Sequence, residues 1–584
     1  MKQLYSLWCS CNAGRVIQSK IFKRLIKEIM ALRELSSNKH ELSESTSLKI
    51  FFQFFNRWNG FDLLVALICV ASFCCSWIES IVNYDNLHWG SAYLSALDLK
   101  RGAIPHSQAL VFYGFFQTWF HSIALTVFGE KLMSVGIMTG LFYSLTLFLS
   151  YRVFLRFMPK HLSFIAVLFI FLIHPYIFYP APNYFMYTFQ LLALIFFLKY
   201  SENRFYGFWA GFFISMSLLS RYSSFIAILP PFIILLGWEF FTIQGTKKRI
   251  IEKTAIVSSG LIIPLIVFAV YLAMNSALGN FFYQMGITSK IWGKVDSAGT
   301  YLNFLASIFQ INESYASDLR GKLFTLILIV CLFIILREGI KKIFNNPAKS
   351  AYANHNIAAV CLVTVFGYLN SLHIYETFRL VNGASLGVGV AVFVFYNIFT
   401  ETIKPVKYLI VFSAVLLCLY LSTTVFFSKT TSSYYPWKQD VLFHNGVTNK
   451  NIAIFKGKLL TKEYNDFYQE VFDTIAPYRK SCYIINYTSD VVAFLINDLP
   501  RIQIAPIYFK WLDDVSKQAE IVDRNQAVIL SYKALDLPNY KIIFNKKWPA
   551  EIPWMESDYL FIYAPKQCSN DMEVSSGYFD LRNH

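Results

Sequence analysis

The sequence predicts a polytopic α-helical membrane protein with about eleven transmembrane helices, followed by a C-terminal soluble α/β domain. Of its 584 residues, 55% are hydrophobic and only 15% are charged, whereas about a quarter of the residues in a soluble domain are charged. The mean hydropathy is +0.44. The apolar residues are gathered into runs of the length that crosses a bilayer, and polar residues separate these runs.

The net charge of +16 does not indicate a nucleic-acid-binding protein. Many of the Lys and Arg residues lie in short loops between apolar runs, and the sequence contains no basic recognition module. We therefore expect no nucleic-acid partner. The bases are better interpreted as the orientation signal of a membrane protein.

The first element is a basic N-terminal segment, residues 1–58, which we place in the cytoplasm. Within it, Gly14–Leu35 alternates basic and aliphatic residues at helical spacing. This pattern is typical of an amphipathic helix on an anionic membrane leaflet, and equally of a solvated cytoplasmic helix.

The transmembrane domain is predicted to cover residues 59–428. Its apolar runs lie near residues 61–80, 132–151, 162–179, 184–199, 205–220, 222–240, 254–274, 322–336, 356–372, 384–399 and 406–427. With the N-terminus inside, the five cytoplasmic loops contain fifteen bases: Arg152, Arg156, Lys160, Lys199, Arg204, Lys247, Lys248, Arg249, Lys253, Arg337, Lys341, Lys342, Lys349, Lys404 and Lys407. This asymmetry follows the positive-inside rule, and an odd number of spans places the C-terminus on the extracytoplasmic side of the cell (inner) membrane.

A further apolar run at 109–128 is interpreted as a helix in the outer membrane interface. Counting it as a span would place Arg152, Arg156 and Lys160 outside and reverse the charge pattern of the later loops. Its Tyr113, Trp119 and His121 suit the depth of the lipid headgroups.

The soluble domain, residues 429–584, is predicted to be α/β and to act as an accessory or acceptor-shaping domain. The apolar runs Cys482–Asn486, Ala527–Ser531 and Tyr559–Tyr563 are typical of buried strands, and 490–497 and 511–523 of helices. Cys482 and Cys568 are the only cysteines in this domain. In an oxidising compartment they are a natural disulfide pair.

The first outer loop carries the most informative pattern. Asp85 follows the first span directly, an amphipathic helix comes next, and a Gly-x-x-Pro break at 102–105 and a Tyr-Gly pair at 113–114 lead into the next helix. Together these features resemble the GT-C superfamily of membrane glycosyltransferases, in its protein-mannosyltransferase and aminoarabinose-transferase branch. The resemblance covers the membrane domain and implies interfacial helices in this loop. It also implies a sugar donor carried on a polyprenyl phosphate.

The resemblance implies that Asp85 is the catalytic acid residue of the first outer loop. A carboxylate beside an acceptor hydroxyl can orient it and take its proton while the lipid phosphate departs. His88, three residues later, and His106, near the end of the loop, are candidates for orienting the carboxylate or binding the acceptor. A solvated loop aspartate and hydrated interfacial histidines are the simpler interpretations.

A departing phosphate needs positive charge and hydrogen-bond donors. Arg221, between the apolar runs 205–220 and 222–240, and Arg379, in HIYETFRLVNG, are the candidates for binding the donor phosphate. An Arg at such depth requires an anionic partner. For Arg379 the alternative partner is Glu376, three residues earlier.

The second outer loop departs from the pattern of the resemblance. Relatives often carry an acidic residue there, but this chain has Asn183, with His174 as another polar side chain that could contribute to the acceptor region. An amide cannot act as a base, and the residue after Asp85 is also an amide, Asn86. Metal coordination by paired carboxylates is therefore not indicated, and we do not predict a metal or another cofactor; metal dependence stays open.

Three functions remain open at this point. The first is a glycosyltransferase that moves a sugar from a polyprenyl-phosphate donor to a lipid, glycan or protein acceptor at the extracytoplasmic face. The second is a transporter or flippase of lipid-linked glycan intermediates, although the sequence has no evident internal repeat. The third is a non-enzymatic envelope-assembly protein.

Overall fold

A computed structural model describes residues 59–83, 86–177, 179–242, 247–295, 319–344, 351–371, 377–401, 412–420, 422–423, 446–479, 482–488, 490–498, 527–549 and 559–566. The basic segment 1–58, with its possible helix Gly14–Leu35, lies outside these residues. So do Asp85 and the helix expected at 511–523.

In the described part of the membrane region the chain is almost entirely helical. The helices are α1 (Gly60–Val82), α2 (His88–Lys100), α3 (Phe115–Phe128), α4 (Leu132–Phe154), α5 (Lys160–Ile173), α6 (Pro182–Leu198), α7 (Phe205–Ser220), α8 (Phe225–Thr242), α9 (Lys247–Met274), α10 (Leu278–Val295), α11 (Leu319–Phe344), α12 (Ala351–Gly367), α13 (Thr377–Ala384) and α14 (Leu386–Glu401). Residues 412–420 are also helical.

Among the described residues, five helices are long and apolar enough to cross a membrane: Gly60–Val82, Leu132–Phe154, Tyr222–Phe240, Lys247–Met274 and Arg320–Ile340. Four shorter apolar helices are Lys160–Ile173, Pro182–Leu198, Phe205–Ser220 and Leu386–Thr400. Each of these nine coincides with a predicted span. The span expected near 356–372 corresponds to α12 and a 3-10 turn at Tyr368–Ser371, and most of the one at 406–427 lies outside the described residues. The chain is a multi-pass membrane protein.

Helix α1 shows how these helices divide their surfaces. Its large apolar side chains face outward, with Leu63, Leu67 and Val70 all more than half exposed. Its buried face instead carries the small Ser72 and Ser76 at i, i+4 spacing. This arrangement inverts that of a soluble helix and suits a lipid surface, where small residues let helices approach closely.

The tightest helix pair is α7 with α9. A Cβ added to Gly211 on α7 would lie 1.9 Å from the carbonyl oxygen of Val257, and one added to Gly260 on α9 would lie 2.0 Å from that of Phe208. Glycine is therefore required at both positions, since any side chain would force the two helices apart.

Two predicted boundaries are wrong. The span expected at 162–179 ends at Ile173, because His174 adopts an extended conformation (φ −155°, ψ 76°) before Pro175. The helix expected at 109–128 begins only at Phe115, after Gly114 in an extended conformation (φ −179°, ψ 153°). The first outer loop thus contains two helices, α2 and α3, separated by residues 101–114.

The C-terminal domain is built on a four-stranded sheet. Its strands are β1 (Tyr483–Tyr487), β2 (Ala527–Ser531), β3 (Tyr540–Lys547) and β4 (Tyr559–Pro565), in the order β1-β2-β4-β3. Strand β1 is parallel to β2, and the β2–β4 and β4–β3 pairs are antiparallel. The helices α15 (Lys462–Ile475) and α16 (Val491–Leu495) accompany the sheet. The α/β prediction is confirmed for the described residues, but β3 was not predicted.

Candidate functional site

The corner between α7 and α8 brings a buried guanidinium to the centre of the candidate site. Helix α7 ends at Ser220 because Arg221 is extended (φ −152°, ψ 99°), and a 3-10 turn then leads into α8. Arg221 is only 4% exposed. Its Nη1 donates a 2.6 Å hydrogen bond to Oδ1 of Asn183, and its Nε has no acceptor among the described residues.

Asn183 lies in the first turn of α6, directly after Pro182 at the helix start. Its Oδ1 accepts the bond from Arg221, which leaves the Nδ2 donors pointing elsewhere. Nδ2 is buried and meets no acceptor among the described residues. The second outer loop therefore contributes an amide that holds an arginine, and not a base.

Two further arginines lie near this corner. Arg379 on α13 is buried, and its charge acts on Arg221. Arg320 at the start of α11 is 1% exposed and donates a 3.2 Å hydrogen bond to the carbonyl oxygen of Ile173. Arg320 was not singled out in the sequence, because SDLRGK resembles an ordinary basic helix start. The corner therefore concentrates positive charge in a buried region.

A small cavity beside Asn183 gathers polar groups from four helices. It is lined by Tyr143, Thr146, Leu147, Ile170, His174, Asn183, Tyr184, Tyr187, Val381, Asn382 and Ser385. His174 is fully buried, with Nε2 3.3 Å from the hydroxyl oxygen of Tyr184, and the hydroxyl of Tyr143 donates to its carbonyl oxygen. Asn382 carries a second buried Nδ2 without an acceptor among the described residues. The side-chain N–H groups of Asn183 and Asn382 at this cavity, and Nε of Arg221, are buried donors, and an oxyanion can accept hydrogen bonds from such groups.

His106 connects the first outer loop to the same corner. Its Nδ1 lies 2.8 Å from Oε1 of Gln284 on α10, and its Nε2 lies 3.1 Å from the hydroxyl of Tyr222, the residue after Arg221. It adopts a positive φ of 64°, which is uncommon for a non-glycine residue. Burial lowers its pKa to about 4, with the Gln284 bond opposing that shift, so the ring is neutral at pH 7.

His88, the first residue of α2, packs against an aromatic side chain of the next loop. Its ring centroid is 4.6 Å from that of the buried Tyr179. Asp85 lies outside the described residues, but its neighbours Asn83 and Asn86 are both buried. The catalytic assignment of Asp85 stays a prediction.

The structure thus brings Arg221, Arg379, Asn183 and His174 together and links His106 to them through Tyr222. For His88 it shows a contact with Tyr179. Within the described ranges, no group of three or more His, Cys, Asp or Glu side chains could hold a metal ion.

Cys482 in the C-terminal domain is disulfide-bonded. Cys568 lies outside the described residues, so the pairing of these two cysteines stays a prediction.

No family model and no curated protein matches the sequence. Among solved structures, the chain is similar to ArnT from Cupriavidus metallidurans bound to undecaprenyl phosphate, with a TM-score of 0.48, 12% identity, and coverage of 86% of this chain and 97% of that chain. It is also similar to the apo oligosaccharyltransferase of Archaeoglobus fulgidus, with a TM-score of 0.44, 11% identity, and coverage of 81% and 70%.

Proposed function

We propose that this protein is an integral-membrane glycosyltransferase that takes a sugar from a polyprenyl-phosphate donor and transfers it to a lipid, glycan or protein acceptor at the extracytoplasmic face. The main support for the proposal is the corner between α7 and α8, which contains Arg221. A guanidinium that is buried, bonded to a neutral amide and close to a second arginine is poorly stabilised by the described residues alone. An anionic ligand would satisfy it.

The ligand chemistry follows from the groups that surround the corner. Arg221 Nε and Asn183 Nδ2 are buried donors without acceptors among the described residues. A phosphate presents several oxygens to such donors and carries the negative charge that Arg221 requires. The corner lies in a membrane domain, so a phosphate attached to a lipid reaches it more readily than a soluble nucleotide.

The reaction needs a base for the acceptor and stabilisation for the leaving group. In the proposed step the acceptor oxygen bonds to the anomeric carbon as the bond from that carbon to the phosphate oxygen breaks. The bonding electrons leave with the phosphate, which Arg221 and Arg379 stabilise. Asp85 takes the proton of the acceptor hydroxyl. Direct displacement of this kind inverts the anomeric centre.

Binding of the lipid phosphate tests the first half of the proposal. Undecaprenyl phosphate is titrated against the purified protein in nanodiscs, with undecaprenol as the uncharged comparison. We expect Arg221→Gln to weaken binding of the phosphate about 10- to 100-fold, the effect of losing a charged hydrogen bond. Arg204→Gln, at an exposed arginine paired with Glu252, is the matched control. Equal binding of the two lipids, or wild-type affinity in Arg221→Gln, would refute the site.

Turnover tests the second half. The protein is supplied with a panel of undecaprenyl-phosphate sugars and with lipid, glycan and protein acceptors. Asp85→Asn is expected to retain lipid binding while losing transfer. Transfer at the wild-type rate by Asp85→Asn would remove the catalytic assignment. Translocation of the lipid across vesicle membranes without any sugar transfer would support the transporter function instead.

A further inference from the structure

The C-terminal domain reaches the membrane domain next to the candidate catalytic loop. The side chain of Lys458 is completely buried there, although lysine is almost never fully buried without compensating contacts. Its Nζ donates hydrogen bonds to the carbonyl oxygens of Ser80 (2.8 Å) and Asn83 (2.5 Å) at the end of α1. The backbone N–H of the next residue, Leu459, donates to the carbonyl of Ile81 (2.9 Å).

These bonds provide hydrogen-bond donors to carbonyl groups at the C-terminus of α1. The last carbonyls of a helix have no partner within the helix, and they carry the negative end of its dipole. Lys458 supplies hydrogen-bond donors to them from a segment nearly 380 residues later in the chain. Burial lowers the pKa of its ammonium to about 7, and the nearby Glu79 opposes that shift. The ammonium also lies 4.0 Å from the ring of Trp89 on α2, whose face favours a cation.

The same domain holds the chain on the other side of Asp85. Asn86 lies beside the buried carboxyl of Asp490, without a hydrogen bond of good geometry. The carboxyl is fixed by the hydroxyl of Tyr468 (2.7 Å) and the backbone N–H of Ala493 (2.7 Å). A Cβ on Gly90 of α2 would lie 2.8 Å from the Cβ of Val491, so α2 and α16 are in direct contact.

The C-terminal end of α2 also contacts the C-terminal domain. Arg101 makes two parallel hydrogen bonds to the carboxylate of Asp498, each 3.0 Å long. The domain therefore contacts the end of α1, the start of α2 and the residue after α2. Only Tyr84 and Asp85 separate the two anchored ends, Asn83 and Asn86.

We propose that Lys458 and Asp490 are positioning residues that hold the end of α1 and the start of α2, the two elements that flank Asp85 in the sequence. The C-terminal domain is then part of the catalytic unit and not only an accessory. The inference rests on the proposed role of Asp85. Lys458 acts by fixing the helix end from which the loop departs.

Hydrogen exchange tests the arrangement without requiring activity. We expect Lys458→Met to speed backbone exchange in 79–90 by about tenfold, as the end of α1 opens locally. Lys456→Met, at the exposed lysine two residues earlier, is the matched control and should leave exchange unchanged. Tyr468→Phe removes one hydroxyl on the Asp490 side, so it should speed exchange in 86–90 more than in 79–83. Wild-type exchange in a folded Lys458→Met protein would overturn the proposal, as would the same acceleration in Lys456→Met.

A second measurement separates positioning from folding and from lipid binding. In the transfer assay, Lys458→Met should lower the rate at least tenfold, while its affinity for undecaprenyl phosphate stays within about twofold of wild type. Parallel loss of rate and affinity would indicate a general structural role and overturn the proposal. If the wild-type protein transfers no sugar from any donor, the proposed function fails, whereas the exchange result still decides whether Lys458 holds the loop.

Discussion

The stability of the C-terminal domain should depend on pH through Asp490. Burial raises the pKa of its carboxyl from 3.8 to about 6, more than offsetting the bonds from Ala493 and Tyr468. Between these two values the folded protein binds a proton that the unfolded chain has released. The free energy of unfolding therefore falls as pH rises from about 4 to about 6. Above pH 6 the contribution of Asp490 no longer changes with pH.

The size of the effect follows from the same pKa difference. Each tenfold change in proton affinity is worth 1.36 kcal/mol, so the rise to about 6 corresponds to roughly 3 kcal/mol. For a domain of this size that is about 6–12 °C in melting temperature. Asp490→Asn resembles the protonated acid in shape and can keep a bond to each partner, with Oδ1 facing Ala493 and Nδ2 facing Tyr468.

The assay compares thermal unfolding of wild type and Asp490→Asn in detergent between pH 4 and pH 8, followed by tryptophan fluorescence. The two proteins should have similar melting temperatures at pH 4. As the pH rises to about 6, the melting temperature of the variant should become increasingly higher than that of wild type, and the difference should stay constant above pH 6. Asp466→Asn, at an exposed position on α15, should change little across the range. A difference in melting temperature that is independent of pH, or that grows as the pH falls, would contradict a raised pKa at Asp490. It would mean that the hydrogen bonds to the carboxylate outweigh the effect of burial on that pKa.

Two further predictions concern the membrane domain. Lys253 bonds both oxygens of the buried Glu239 (2.8 and 2.9 Å), which also pairs with His355. Lys253→Met should therefore cost about 3–5 kcal/mol, and adding Glu239→Gln should recover part of that loss in thermal unfolding; no recovery in the double variant would contradict the pairing argument. Gly211→Leu should sharply reduce the yield of folded, monodisperse protein in size-exclusion chromatography, because its Cβ would lie 1.9 Å from a carbonyl of the facing helix. Gly237→Leu, where nothing lies within 4 Å, is the control; equal yields would argue against the close α7–α9 contact.

Local composition was enough to predict most of the membrane helices. A helix that crosses a bilayer needs a long apolar run and satisfies its backbone hydrogen bonds internally. Both properties depend on consecutive residues, so they can be recognised in the sequence. The helix ends were harder to predict, because His174 and Gly114 end or begin a helix through backbone conformation. Strand β3 was missed because YKIIFNKK carries three lysines, which an edge strand tolerates and a buried strand does not.

The candidate site was predictable only where a charge interrupts an apolar run. Arg221 and Arg379 could be singled out in the sequence because an arginine at membrane depth has a high energetic cost. No comparable sequence feature marks Lys458. It lies in IFKGKLL beside another lysine, and only the fold distinguishes the buried one from the exposed Lys456. Its partners lie in α1, so no local pattern could have predicted its role.

The amide at Asn183 gives the departure from the resemblance a physical meaning. A carboxylate at that position, 2.6 Å from the Arg221 guanidinium, would form a buried ion pair and neutralise the arginine. An amide holds the guanidinium in the same place and leaves its charge uncompensated by the described residues. An amide in place of the second acid is therefore consistent with the anionic ligand that we propose. Asn183→Asp should therefore weaken binding of undecaprenyl phosphate, even though it restores the residue type that the resemblance predicts.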